Sequence, residues 1–371
     1  MLTALSYKGS LMGGEIRTIQ YLRGIAALAV VLFHYRFTLN EFNQLDIKNL
    51  GNILFSSGSF GVDLFFMISG FVITLSTQKN YGRKKNIIKF SLKRFFRIYP
   101  LLIICVLIAS YIYDSDLKSI IKSLIPIHLQ YNYNAPFFGL NVLMVAWTLT
   151  FELFFYLLFM LSIIINHKYR GIVCCFLIVS LFSLVRITYT GEISLIAYKT
   201  IEFHYPTIIT APLSLISSPM ILEFCLGIIS FYIYEYIKNL KIENISFLKP
   251  ALICCIFYLF ILCFSKNEFT GHGIMRWGVI CFFLLTLCVI YELLFGVSKF
   301  KSLNFLGDIS YSLYMTHQLS AILFASISAY LYLTGFPKFI NATLGAIAIA
   351  SISYVIIEKP FIRVSKKYTS N

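Results

Sequence analysis

Apolar residues fall in runs near 19–38, 54–76, 97–113, 141–165, 171–189, 219–236, 251–265, 274–295, 305–333 and 339–357. Runs of about 17–25 residues suit a helix crossing a hydrocarbon core roughly 30 Å thick. The seventh is short, and the ninth is long enough to contain a bend or an interfacial turn. No linker, repeat or low-complexity stretch divides them. The pattern predicts one all-α polytopic membrane domain over residues 1–371, with about ten transmembrane helices and a core near 17–363.

The polar intervals orient these helices. Lys79, Arg83, Lys84, Lys85, Lys89, Lys93, Arg94 and Arg97 follow the second run, which places that loop in the cytoplasm. Alternation puts the N-terminus, Lys168/Arg170, Lys238/Lys241/Lys249, Lys299/Lys301 and Lys359/Arg363/Lys366/Lys367 on the same side. The opposite side keeps Arg36, Lys48, Lys118, Lys122, Lys199, Lys266, Arg276 and Lys338, interleaved with acids. Both termini are expected inside. The longest outer loops, roughly 114–140 and 190–218, are expected to form lids or short re-entrant pieces.

Composition agrees. Hydrophobic residues make up 58% and charged residues 13% of the chain, at a mean hydropathy of +0.80. Globular proteins carry about 25% charge, so an ordinary soluble domain is excluded. The net charge of +15 would suggest nucleic acid on a soluble chain. Here the cytoplasmic loops and anionic lipid account for it, and no nucleic-acid partner is expected. The nine cysteines form no CxxC and no Cys/His cluster at zinc spacing. They are read as apolar packing, with no metal site. The first eighteen residues, with Lys8, Glu15 and Arg17, do not read as a signal peptide.

Ionisable groups inside apolar runs are expensive and mark watery interiors. His34, Asp63, Glu152, Glu223, Glu292 and His317 are such groups, with Asp308 near an inner end. At about 1.5 Å per residue, His34 lies roughly 22 Å from the inner start of its run, and Asp63, Glu152 and His317 lie near the midplane. Each has a plainer reading. His34 could snorkel outward, Asp63 and Glu152 could be structural partners, and Glu223 and Glu292 look like helix-end charges.

Several segments together resemble the acyltransferase-3 family of integral membrane acyltransferases, bacterial enzymes that O-acylate surface sugars. Arg23 and His34 have the family's ten-residue separation, followed by Gly61-Val62-Asp63 and Ser69-Gly70. Arg94-Phe95-Phe96-Arg97 matches its Arg-x-x-Arg element. Trp147 to Glu152 resembles its tryptophan-to-glutamate helix, with Thr148 where Ser is usual. Gly307-Asp308-Ile309-Ser310-Tyr311 through His317, and Glu358-Lys359-Pro360, resemble its late motifs. The blocks run in order across residues 17–363, and the chain resembles members without an appended hydrolase-like domain.

The resemblance implies acyl transfer, most commonly of acetyl, from cytoplasmic acyl-CoA to a hydroxyl of a surface or lipid-linked glycan. It implies residence in a bacterial inner membrane and no bound cofactor. A neutral alcohol needs a base, and histidine suits this, so His34 is the candidate catalytic residue, as base or transient acyl carrier. Depth offers Glu152 and Asp63 as its carboxylate partner. Arg23, Arg94 and Arg97 are candidates for the donor phosphates, because guanidinium forks suit them. Arg23 lies roughly 16–17 Å below His34 along the helix, comparable to an extended pantetheine arm. Asp308, Ser310, Tyr311 and His317 are candidates to line the substrate path or to pack it.

Rivals remain at this level. A proton-coupled transporter or flippase of lipid-linked sugars would also use midplane acids and histidines. It would show inverted repeats or matched broken helices, and neither is seen. A glycan polymerase would need a large outer loop, and a purely structural protein leaves the buried ionisable groups unexplained. Oligomeric state is not legible.

Overall fold

The computed structural model describes residues 16–40, 43–125, 141–199, 201–240 and 245–369. Lys8, Lys241 and most of the expected 114–140 loop lie outside them. Among the described residues the secondary structure is helical without strands. We number the main helices α1 (Arg17–Tyr35), α2 (Phe60–Ser76), α3 (Arg83–Ile112), α4 (Trp147–Ile165) and α5 (Arg170–Thr190). They continue as α6 (Leu222–Asn239), α7 (Leu248–Phe264), α8 (Val279–Phe295), α9 (Ser310–Tyr330) and α10 (Gly335–Ser353).

Eight helical stretches are long and apolar enough to cross a membrane. Two of the ten expected spans fall outside that group for different reasons. Helix α7 has only 17 residues. Helix α9 has 21 but carries Ser312, Thr316, His317, Ser320 and Ser328, all buried. A helix this polar needs protein around it rather than lipid. The other helices show the converse: Ile103, Ile104, Leu107, Ile108 and Tyr111 form an exposed apolar face of α3. Such a surface belongs against acyl chains, and the protein is a multi-pass membrane protein.

Local breaks aim side chains inward. The expected bend in the ninth run falls at Ile309, between a helix over Lys301–Asp308 and α9. Pro100 lies within α3 and removes one hydrogen bond of its ladder. A π-helical turn over Tyr354–Glu358 turns Glu358 into the protein, where it accepts from Ser312 Oγ at 2.8 Å. Glu292 caps α1 from the end of α8. It accepts from Arg17 N at 2.9 Å, Thr18 N at 2.7 Å and Thr18 Oγ1 at 2.7 Å. Its reading as a structural charge holds.

Helices α2 and α6 meet backbone to backbone. A Cβ on Gly70 would lie 2.2 Å from the Phe224 carbonyl oxygen, and one on Gly227 would lie 2.0 Å from that of Met67. Small residues at this crossing let the helices approach without a cushion of side chains. The contact brings Asp63 on α2 and Glu223, in the first turn of α6, into one buried region. Of the outer loops, 117–124 forms a helix capped by Asp116, and Thr207–Ser217 forms another, too short to span.

Candidate active site

Two chambers lie in series through the bundle. The first, about 80 Å³, is lined by Arg23, Arg97, Glu152, Ser310 and Tyr311 among others. The second, about 620 Å³, holds His34, Trp147, Tyr198, His272, Trp277 and Gln318. Its size falls within the roughly 300–1,000 Å³ of small-molecule sites. Val62 and Tyr314 line both and form the partition. The Tyr314 hydroxyl is fixed there by Thr148 Oγ1 at 2.9 Å and by donation to the Val145 carbonyl at 3.2 Å.

In the small chamber, Arg23 is held by neutral groups, donating to Gln20 Oε1 at 3.2 Å and to Ser310 Oγ at 3.0 Å. Gln20 in turn donates to Asp308 at 2.6 Å. Asp308 thus braces the arginine from outside and lines neither chamber. Arg97 makes no salt bridge among the described residues, although Glu358 lies near it. Glu152 is held by Tyr156 one turn along α4 and by Ser69 Oγ at 2.9 Å. Tyr311 donates to the Ile98 carbonyl at 2.8 Å.

Arg94, expected to act beside Arg97, opens instead onto a neighbouring recess of about 30 Å³ with Lys79, Lys89 and Lys93. Position 94 faces one side of Tyr156, its guanidinium 5.2 Å from the ring centroid, and donates to Ser76 at 3.2 Å. Three residues along a helix turn by about 300°, so the two arginines diverge enough to enter adjacent spaces. Lys89 is buried with its ammonium 3.9 Å from the Tyr81 ring centroid. No carboxylate pairs with these lysines among the described residues, which makes the recess attractive to an anion.

His34 lies in the large chamber, and its neighbour is His317, with ring centroids 5.0 Å apart. His317 Nδ1 lies 2.7 Å from the Tyr314 carbonyl oxygen. A carbonyl only accepts, so that nitrogen carries the hydrogen and Nε2 presents a lone pair. His317 Nε2 is buried without a hydrogen-bond partner. The expected carboxylate partner of His34 is corrected by this geometry. Glu152 belongs to the small chamber, and Asp63 turns away toward the loop before α8.

There Asp63 meets His272, a residue the sequence reading did not single out. His272 Nδ1 donates to Asp63 Oδ2 at 2.7 Å, and Gly273 N donates to Oδ1 at 2.9 Å. The flanking Gly271 and Gly273 have φ of +125° and +113°, a region that L side chains rarely adopt. Both tryptophans of the chain stand edge-on to the ring, Trp147 at 6.2 Å and Trp277 at 5.3 Å. The depth argument missed His272 because it sits in a loop between runs. The Gly-His-Gly sequence ahead of Trp277 was the available signal. Among the described residues, no group of His, Cys, Asp or Glu is arranged to hold a metal ion.

Comparison with known proteins places this arrangement. A family model described as an acyltransferase domain matches residues 16–357. The O-acetyltransferase OatA of Staphylococcus aureus strain NCTC 8325 is 26% identical over 365 residues, covering 91% of this chain and 56% of OatA. The chain therefore spans little more than half the length of that relative. The exopolysaccharide production protein ExoZ of Rhizobium meliloti strain 1021 is 24% identical over 326 residues, covering 83% of this chain and 91% of ExoZ. No solved structure matches. With the family model covering nearly the whole described chain, the protein belongs to the acyltransferase-3 family of membrane acyltransferases.

Proposed function

We propose that this protein is a membrane O-acyltransferase that takes an acyl group, acetyl in the first instance, from cytoplasmic acyl-CoA. The acceptor is a hydroxyl of a surface or lipid-linked polysaccharide, in keeping with OatA being an O-acetyltransferase and ExoZ an exopolysaccharide production protein. One observation carries the reading: an arginine-bearing chamber and a histidine-bearing chamber that share Val62 and Tyr314 in their walls. The donor's phosphates would rest on Arg23, Arg97 and the Arg94 recess, since guanidinium and ammonium groups favour phosphate oxygens. The narrow chamber would take the pantetheine arm and present the thioester at the partition. His34 beyond it would be the reacting histidine. The chain would sit in a bacterial inner membrane with both termini cytoplasmic, following its basic loops.

Radiolabelled acetyl-CoA supplied to membranes containing this chain and host surface glycan tests the reading. Base-labile label in the glycan is expected. Label that never leaves acetyl-CoA, whatever glycan is offered, would favour the transporter reading that the midplane groups also allow.

A further inference from the structure

The two histidines of the large chamber have opposite surroundings. A histidine that removes an alcohol proton becomes a cation, and in a low-dielectric interior that cation needs a nearby carboxylate. Among the described residues His34 has none: its ring neighbours are Phe33 and His317, and the charge beside it is the guanidinium of Arg36. The His34 side chain makes no hydrogen bond or ion pair among the described residues. His272 has Asp63 at 2.7 Å, with a second carboxyl, Glu223, buried beside that aspartate. Two left-handed glycines and two tryptophans fix the ring at the cavity wall. Two positions that only glycine adopts freely and a buried histidine–carboxylate hydrogen bond mark a ring held for its orientation.

We propose a division of labour resting on the acyltransferase reading: His34 carries the acyl group, and His272, held by Asp63, is the base for the acceptor hydroxyl. In the first half, a free-base nitrogen of His34 attacks the thioester carbon, the C–S bond breaks, and the thiolate takes the ring N–H proton to leave as CoA thiol. In the second, His272 takes the hydroxyl proton as the acceptor oxygen bonds to the acyl carbon. The bond to His34 then breaks and His272 returns the proton to the released ring nitrogen. Atoms and charge balance with no further reactant. Asp63 compensates the imidazolium between the two proton movements and acts as a positioning residue. The acceptor class is a neutral polyol, with Trp147 and Trp277 as walls for its apolar ring face.

The half-reactions separate the roles. Incorporation of labelled CoA into acetyl-CoA without acceptor reports the first half, and label in glycan reports the whole. In the parent protein both are expected. His272→Gln should lower transfer about 10²–10⁴-fold, the usual worth of a general base, while exchange persists. Asp63→Asn should show the same split more weakly. His34→Ala should lose both. Near-parental transfer by His272→Gln would overturn the assignment. So would a parallel fall of transfer and exchange, which a merely structural histidine gives. Parent membranes that transfer without exchanging would remove the acyl-histidine, and parent membranes that do neither would instead sink the acyltransferase reading.

Discussion

His34 and His317 stand ring against ring at 5.0 Å, and His317 Nε2 is buried without a hydrogen-bond partner among the described residues. The pair couples α1 to α9 at the wall of the large chamber, where acyl transfer is proposed. Removal of the reacting imidazole should therefore act on turnover and not on binding. His34→Ala is expected to abolish transfer with donor affinity and membrane insertion retained. Steady-state transfer assays on purified protein would decide it, and normal turnover would sink the mechanism.

The arginines should behave differently from one another. Arg97→Ala removes from the small chamber a guanidinium that has no salt bridge among the described residues. A charge-assisted hydrogen bond is worth about 1.5–3 kcal/mol, so acyl-CoA affinity should fall about 10–100-fold. Arg94→Ala should cost less, because Arg94 already donates to Ser76 and faces Tyr156. The double variant should weaken donor binding further with kcat less affected. Titration of acyl-CoA against each variant measures this, and equal affinity in all would remove the phosphate role.

The partition gives a steric test. Val62 is buried and borders both chambers. Val62→Trp should close the passage, so acyl-CoA still binds but transfer is lost. Val62→Ala should keep transfer. A freely active tryptophan variant would mean that the thioester takes another route.

Stability has its own test at Glu292. Its carboxylate accepts two backbone N–H groups and one hydroxyl at the start of α1. Glu292→Ala should cost about 1–2 kcal/mol, as lost caps with a charge at the positive helix end do. A thermal-shift measurement in detergent should show Tm lower by several degrees with donor affinity unchanged. An unshifted Tm would show that the cap contributes nothing.

Much of this was readable from the chain because helices convert spacing into depth. Arg23 and Arg97, grouped by their side of the membrane, line one chamber, and the bend in the ninth run falls at Ile309, whereas the presence of Glu152, Ser310 and Tyr311 in that same chamber was not foreseen. Rotation of each helix about its axis was not readable. That angle decides which carboxylate faces which histidine, and it is set by contacts such as Gly70 on α6, far apart in sequence. Asp63 accordingly met a loop histidine that no periodicity could place. Arg94 and Arg97 parted for the same reason: three residues fix an angle between side chains, while the neighbouring helices decide what each one finds.

The narrow place at Val62 and Tyr314 also bears on the cell that houses the protein. An enzyme that accepts one substrate from the cytoplasm and another from the outside runs the hazard of becoming a leak. A continuous water column along those polar side chains would dissipate the proton gradient on which the cell's energy supply depends. A tyrosine tethered to Thr148 and to the Val145 carbonyl, backed by a buried valine, fills the waist between the chambers. On the proposed function the site would work as an airlock, passing an acyl group while the membrane keeps its voltage.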